Sequence, residues 1–88
     1  MKIVFSEHAL FELEFRKINK EEIERLIEHP MQKLPSKKNR IIMKKRYNDA
    51  IAHKEMLLRV IVEELENAFY VITVYKTSKI EKYWKENK

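Results

Sequence analysis

Apolar positions along this chain follow two different rhythms, and the change between them divides the sequence. In the first third, Ala9, Leu10 and Leu13, with Ile18 beyond them, make an apolar stripe at helical spacing. Ser6 stands where it can cap that helix, and Glu7 follows at the positive end of the helix dipole. The run before it, Lys2 to Phe5, is β-branched and aromatic and predicts a first strand. Asn19 opens a second helix, and Glu22 three residues on completes a capping-box pattern. Ile23, Leu26 and Ile27 form its buried side, and Pro30 stops it near His29 by disfavouring helical geometry in the preceding residue. Two helices joined this closely form a helical hairpin or an angled pair.

Beyond Pro35 the rhythm becomes alternating. Ile41, Met43 and Tyr47 fall on one side of a half-buried strand, with Arg40, Lys44 and Arg46 as a basic row on the other. Asn48-Asp49 is a turn signal, and Ala50 to Glu55 fits either a strand or a helical turn. Met56 to Glu64 and Ala68 to Lys76 are the strongest strands, joined sharply through Leu65, Glu66 and Asn67 as an antiparallel hairpin. A three-residue link sets Leu58 opposite Val74, Val60 opposite Ile72 and Val62 opposite Tyr70, one wholly apolar face for the helices. The other face then carries Arg59 opposite Thr73, Leu57 opposite Tyr75 and Glu63 opposite Phe69. Other links would push Arg59 toward the helix side, where burying a guanidinium is costly. Ser78 and Glu81 make a further capping box, and Ile80, Tyr83 and Trp84 can anchor a short terminal helix. The expected architecture is α+β in a single domain spanning residues 1–88. It has an N-terminal strand, two helices packed on one face of a three- to four-stranded antiparallel sheet, and a short C-terminal helix.

Composition narrows what such a domain can do. Of 88 residues none is cysteine and none is glycine. That removes disulfides, thiolate metal sites and cysteine nucleophiles, together with P-loops and dinucleotide fingerprints, which need glycine backbone. No apolar run approaches the roughly 20 residues that span a bilayer, and the first residues turn charged too early for a signal peptide, so a cytoplasmic protein is expected. The three histidines share no metal-ligand spacing, and neither a metal nor a cofactor is expected. Tight turns without glycine fall to Asn39, Asn48-Asp49 and Asn67, residues that tolerate left-handed geometry. The net charge of +5 is uneven. Residues 1–36 hold six Lys/Arg against seven Glu, whereas residues 37–88 hold thirteen against seven acids. A one-sided basic field concentrates polyanions near it, although a lysine- and glutamate-rich surface is also a common solvated one.

Arg59 interrupts an apolar strand, and its five donors suit phosphate oxygens; an ion pair with Glu63 would be its structural use. His8, one helical turn before Glu12, can carry protons near neutral pH. Tyr75, Lys76, Lys79, Lys82 and Tyr83 gather around the last strand and the start of the terminal helix, where lysines hold phosphate and tyrosines stack on bases. Such a set is equipped for metal-free RNA cleavage, in which a base activates a 2′-hydroxyl, an acid protonates the leaving 5′-oxygen and cations balance the phosphate.

Several short motifs in order also resemble a known group. Phe5-Ser6-Glu7-His8-Ala9-Leu10, Arg16-Lys17-Ile18, Glu21-Glu22-Ile23-Glu24 and His29-Pro30 are followed by Leu58 to Ile61 (Leu-Arg-Val-Ile) and Val71 to Tyr75 (Val-Ile-Thr-Val-Tyr). The close, Thr77 to Trp84, continues the likeness. Together they look like a family of small uncharacterised prokaryotic domains similar to the RelE/ParE superfamily, including BrnT-like toxins. The group's usual Arg-Gly before the second helix is Arg16-Lys17 here. The resemblance implies a toxin of a toxin–antitoxin pair, a metal-independent endoribonuclease acting on mRNA that is free or ribosome-bound, with a cognate antitoxin as partner. It implies catalytic roles for His8, Arg59, Tyr75, Lys79, Lys82 and Tyr83; the basic row Arg40, Lys44 and Arg46, with Lys76, is read from its charge as the part that tracks the nucleic acid. A non-catalytic binding module on the same fold and a gyrase-inhibiting toxin are the alternatives.

Overall fold

The computed structural model describes residues 2–84, in which two helices lie on one face of a five-stranded sheet and a single helical turn lies on the other. The elements are β1 (Lys2–Phe5), α1 (Glu7–Phe15), α2 (Lys20–Glu28), β2 (Gln32–Pro35), β3 (Arg40–Asp49), β4 (Lys54–Glu64), β5 (Ala68–Thr77) and α3 (Ile80–Tyr83). The strand order is β1-β5-β4-β3-β2. The α+β class is as the sequence leads one to expect, but the sheet is larger and mixed: β1 joins one edge parallel to β5, and β2 adds to the other edge. β2 carries Gln32, Lys33 and Pro35, a composition that only a sheet edge accommodates. No helix among the described residues is long and apolar enough to cross a membrane.

The core lies between the helices and β3, β4 and β5. Ala9, Leu13, Ile18, Ile23, Leu26 and Ile27 pack on Met43, Leu58, Val60, Val62, Val71 and Val74. Leu10 departs from its expected place in the stripe: about 100° around the helix from Ala9, it faces outward and is 46% exposed, beside the exposed and stacked Phe11 and Phe15. Ser6 does cap α1, its hydroxyl accepting the Ala9 N–H at 3.0 Å while donating to the Ile72 carbonyl at 3.0 Å. The expected capping boxes of the other helices do not form. Asn19 and the α3 cap make no side-chain cap bond; the Asn19 carbonyl takes the Glu22 N–H instead.

Hairpin register differs from the sequence expectation, for an identifiable reason. Leu65 and Ala68 exchange backbone hydrogen bonds, so the turn proper is Glu66-Asn67 and Glu64 pairs with Phe69. A two-residue turn alone would carry Arg59 toward the helices. A bulge at Ile72, which leaves Val62 opposite Val71 but Ile61 opposite Thr73, restores the segregation of faces. It also puts Val71 and Val74, three residues apart, both in the core. Val60 thus pairs with Val74, Leu58 with Lys76, and Arg59 with Tyr75 rather than Thr73.

Without glycine, left-handed backbone falls to Lys17 (φ 54°), Lys38 (57°), Asn39 (61°) and His53 (56°). Of the positions expected to take it, only Asn39 does. Lys17 joins α1 to α2, and a side chain there opposes the geometry. Lys17→Gly is expected to raise stability by about 0.5–1 kcal/mol, the relief of left-handed strain less glycine's entropy cost; urea denaturation measures it.

At one end of the core face a polar knot replaces apolar packing. Asp49, 7% exposed, accepts hydrogen bonds from the Tyr47 hydroxyl (2.8 Å), the Lys76 ammonium (3.2 Å) and the Ile51 and Ala52 backbone N–H groups (2.8 and 2.9 Å). The Ala52 N–H is the main cause of a carboxyl held well below the usual range, with Tyr47, Lys76 and Ile51 acting in the same direction against burial. Burial, followed by the bond to Asp49, pushes the Tyr47 phenol up. The segment after Asp49 is therefore a turn, with His53 left-handed, and strand resumes at Lys54.

Candidate functional site

On the face opposite α1 and α2, the ladder sets three chemistry-bearing residues in one row across three strands. Lys44 of β3 pairs with Arg59 of β4, and Arg59 pairs with Tyr75 of β5. Central strands of a packed sheet hold these side chains with little freedom, as a recognition surface requires. The expectation of Arg59 and Tyr75 on the non-helical face is met, although Leu57 now faces Thr77.

That face is not open. After Thr77, whose hydroxyl accepts the Lys79 N–H at 3.0 Å, the chain turns back and lays α3 over the row. The Tyr83 ring meets Tyr75 edge-on at 5.7 Å between centroids. The Arg59 guanidinium lies 5.5 Å from the centre of the Tyr83 ring, and Lys44 donates its ammonium hydrogen to the Tyr83 carbonyl. Arg46 lies 5.2 Å from the Trp84 ring and pairs with Glu55 at 3.2 Å. Lys44 is consequently only 3% exposed, and Arg59 Nε is sealed from solvent with no hydrogen-bond acceptor among the described residues. A buried unsatisfied donor costs about 1–3 kcal/mol, more on a charged group, so this arrangement is not one that stability alone selects.

Electrostatics single out Tyr83. Its phenol is lowered from the ordinary tyrosine value, first by hydrogen bonding with Tyr75, with the Lys82 and Arg59 cations adding to it and burial opposing. A phenol whose anion is favoured beside a guanidinium is equipped to exchange a proton next to a phosphate.

Residues nominated from the sequence divide between the two faces. Arg59, Tyr75 and Tyr83 come together with Lys44. Lys79, just before α3, and Lys82, within it, are exposed and, with Arg46, Glu55, Glu81 and Trp84, line a cleft of about 790 Å³. Arg40 is exposed at the start of β3, its side chain on the same face as Lys44 and Arg46 by strand alternation. Lys76 points the other way, into the ion pair with Asp49. His8 is exposed in the first turn of α1, on the helix side of the sheet, and Glu12, its expected partner, pairs with Arg16. Arg59 makes no ion pair with Glu63; its neighbours across the ladder are Lys44 and Tyr75. Arg16 was not foreseen: from the end of α1 its guanidinium reaches the Tyr75 ring at 4.6 Å. It can do so because β1 covers β5 only as far as Val71, leaving the edge at Tyr75 bare, a consequence of topology that no local motif announces. Among the described residues no group of three or more His, Asp or Glu side chains is placed to hold a metal ion.

A family model described as Domain of unknown function (DUF4258) matches residues 5–76, and the chain belongs to that family. Neither a curated protein nor a solved structure matches it.

Proposed function

We propose that this member of the DUF4258 family is a metal-independent endoribonuclease that cleaves single-stranded mRNA in the cytoplasm, as the toxin of a toxin–antitoxin pair on a RelE-like fold. The observation that carries the reading is the Lys44–Arg59–Tyr75 row with the Tyr83 phenol beside Arg59. Two tyrosine rings among cations suit unstacked bases on a phosphate backbone, whereas a duplex hides its base faces.

In the reaction, the Tyr83 phenolate takes the proton of a ribose 2′-hydroxyl. The 2′-oxygen attacks the adjacent phosphorus, and the bond to the 5′-oxygen breaks, giving a 2′,3′-cyclic phosphate. Tyr75 or Lys82 supplies the proton that the departing 5′-oxygen needs. Arg59, with Lys44 beside it, balances the charge that builds on the phosphate oxygens. Lys79, Lys82, Arg46 and Arg40 track the strand on either side. His8 and Lys76 take no part in this scheme, since they lie on the other side of the sheet. A cognate antitoxin is the partner that such a toxin requires, and the likeness of its short motifs to BrnT-like and other RelE/ParE toxins supports that assignment.

Purified protein incubated with RNA in EDTA, alone and with ribosomes, is expected to give fragments ending in cyclic phosphate and 5′-hydroxyl. Tyr83→Phe is expected to slow the cut by about a hundredfold. Salt-sensitive binding without cleavage in either setting would replace the enzyme by a binding module. Inhibition of supercoiling with no effect on RNA would point to gyrase instead.

A further inference from the structure

We propose that α3 is a strap: it closes the basic face in the free chain and lifts when single-stranded RNA passes beneath it. This regulation rests on the reading of that face as an RNA site.

Three of the contacts that α3 and Trp84 make with the sheet fall on the cations that a phosphate backbone would use, and a fourth sets the Tyr83 ring against Tyr75. Tyr83 covers Arg59, the Tyr83 carbonyl takes Lys44, and Trp84 covers Arg46. Among the described residues, little beyond these contacts holds the strap. It has four residues, none of them buried, and no side-chain cap. Strap and strand therefore compete for the same groups and cannot both be seated on the sheet. The exchange favours a polyanion, because a charge-assisted hydrogen bond to phosphate is stronger than a cation resting on a ring. It also gives Arg59 Nε the acceptor it lacks among the described residues. A neutral ligand gains nothing comparable and leaves the strap in place.

The cleft lined by Arg46, Lys79, Lys82 and Trp84 is where a strand can begin to enter. Thr77, fixed in β5 and bonded to the Lys79 N–H, acts as the hinge point. When α3 lifts by the thickness of one strand, Tyr83 comes to face Arg59 across the bound phosphate, on the side from which it takes the 2′-proton. Apparent affinity for RNA is then the intrinsic affinity multiplied by the fraction of chains that are open, and loosening the strap raises it.

Trp84, the only tryptophan in the chain, reports on the strap directly. The ligand is a 2′-O-methyl oligouridylate, which binds without being cut. On titration the quenching of Trp84 fluorescence by acrylamide is expected to rise. Trp84→Ala, which removes the contact with Arg46, is expected to bind about five- to tenfold more tightly. Ile80→Gly, which loosens the helical turn without touching a ring, is expected to shift binding the same way. Tighter binding by either variant with an unchanged melting curve supports the strap, most strongly if the wild type binds too weakly to measure. Binding with unchanged quenching, and weaker rather than tighter with Trp84→Ala, would make Trp84 a stacking platform and overturn the strap while the RNA site stands. Absence of binding by all three proteins would overturn the RNA reading and the strap with it.

Discussion

Replacing Arg59 by methionine is expected to lower RNA cleavage by about a thousandfold, the cost of losing a charge-stabilising donor at the reacting group, while leaving the fold as stable as before or more so. The two halves of that expectation have separate causes. Arg59 opposes Tyr75 and Lys44 on neighbouring strands, and its Nε is buried with no acceptor among the described residues. Methionine has comparable reach and no donor to leave unsatisfied, and replacing buried charge by apolar volume is often neutral or stabilising. A structural arginine would behave in the opposite way, with stability falling and activity following it. Measuring kcat beside the urea midpoint separates the two. A methionine variant that cleaves normally would remove Arg59 from the reaction.

Asp49→Ala is expected to destabilise the chain by about 3 kcal/mol, since it strands a half-buried lysine and a half-buried phenol at once. Lys76 is left without its carboxylate, Tyr47 without its acceptor, and the Ile51 and Ala52 N–H groups without their cap. The same knot sets an acid limit. The Asp49 carboxyl is lowered in the folded chain, whereas in the unfolded chain it titrates near its ordinary value of about 3.9. Its contribution is therefore complete above about pH 5 and declines as pH falls through about 4 and below. Urea midpoints taken down that range should fall more steeply for the wild type than for Asp49→Ala. Parallel slopes would mean that other carboxylates set the acid limit.

Elements that are decided locally were legible in the sequence. The Ser6 cap, the Ile23-Leu26-Ile27 stripe, the stop before Pro30, the alternation of β3 and the pairing of β4 with β5 all depend on neighbours a few residues away. What depended on distant neighbours was not. β1 shows a strand's composition but nothing that says it will lie parallel to β5, and β2 reads as polar loop until it is placed on an edge. The bulge at Ile72 has a local trace, the spacing of three between Val71 and Val74, but that spacing also fits a turn of helix. At the site, the cost of burying Arg59 under helices led to the right face by way of the wrong register, because the bulge and the shorter turn offset one another. Lys76 was nominated by its charge alone: strand alternation puts it on the face opposite Tyr75 in the expected register as in the observed one, and there it pairs with Asp49. Exposed nominations such as His8 had no pattern to say which side of the sheet they would occupy.

The pairing of β1 with β5 also governs when this domain can exist. Lys2 to Phe5 align with Ala68 to Val71, and the Ser6 N–H and hydroxyl bind the carbonyls of Val71 and Ile72. The start of the chain thus waits for a segment made more than sixty residues later. On a ribosome, which holds the newest stretch of chain in its tunnel, the first strand and the anchored start of α1 have no mate until synthesis has passed well beyond Ile72. Closing so long a loop is also slow. The row around Arg59 and Tyr75 is therefore assembled only after synthesis has carried β5 clear of the tunnel, and a nascent chain shorter than that carries no competent site.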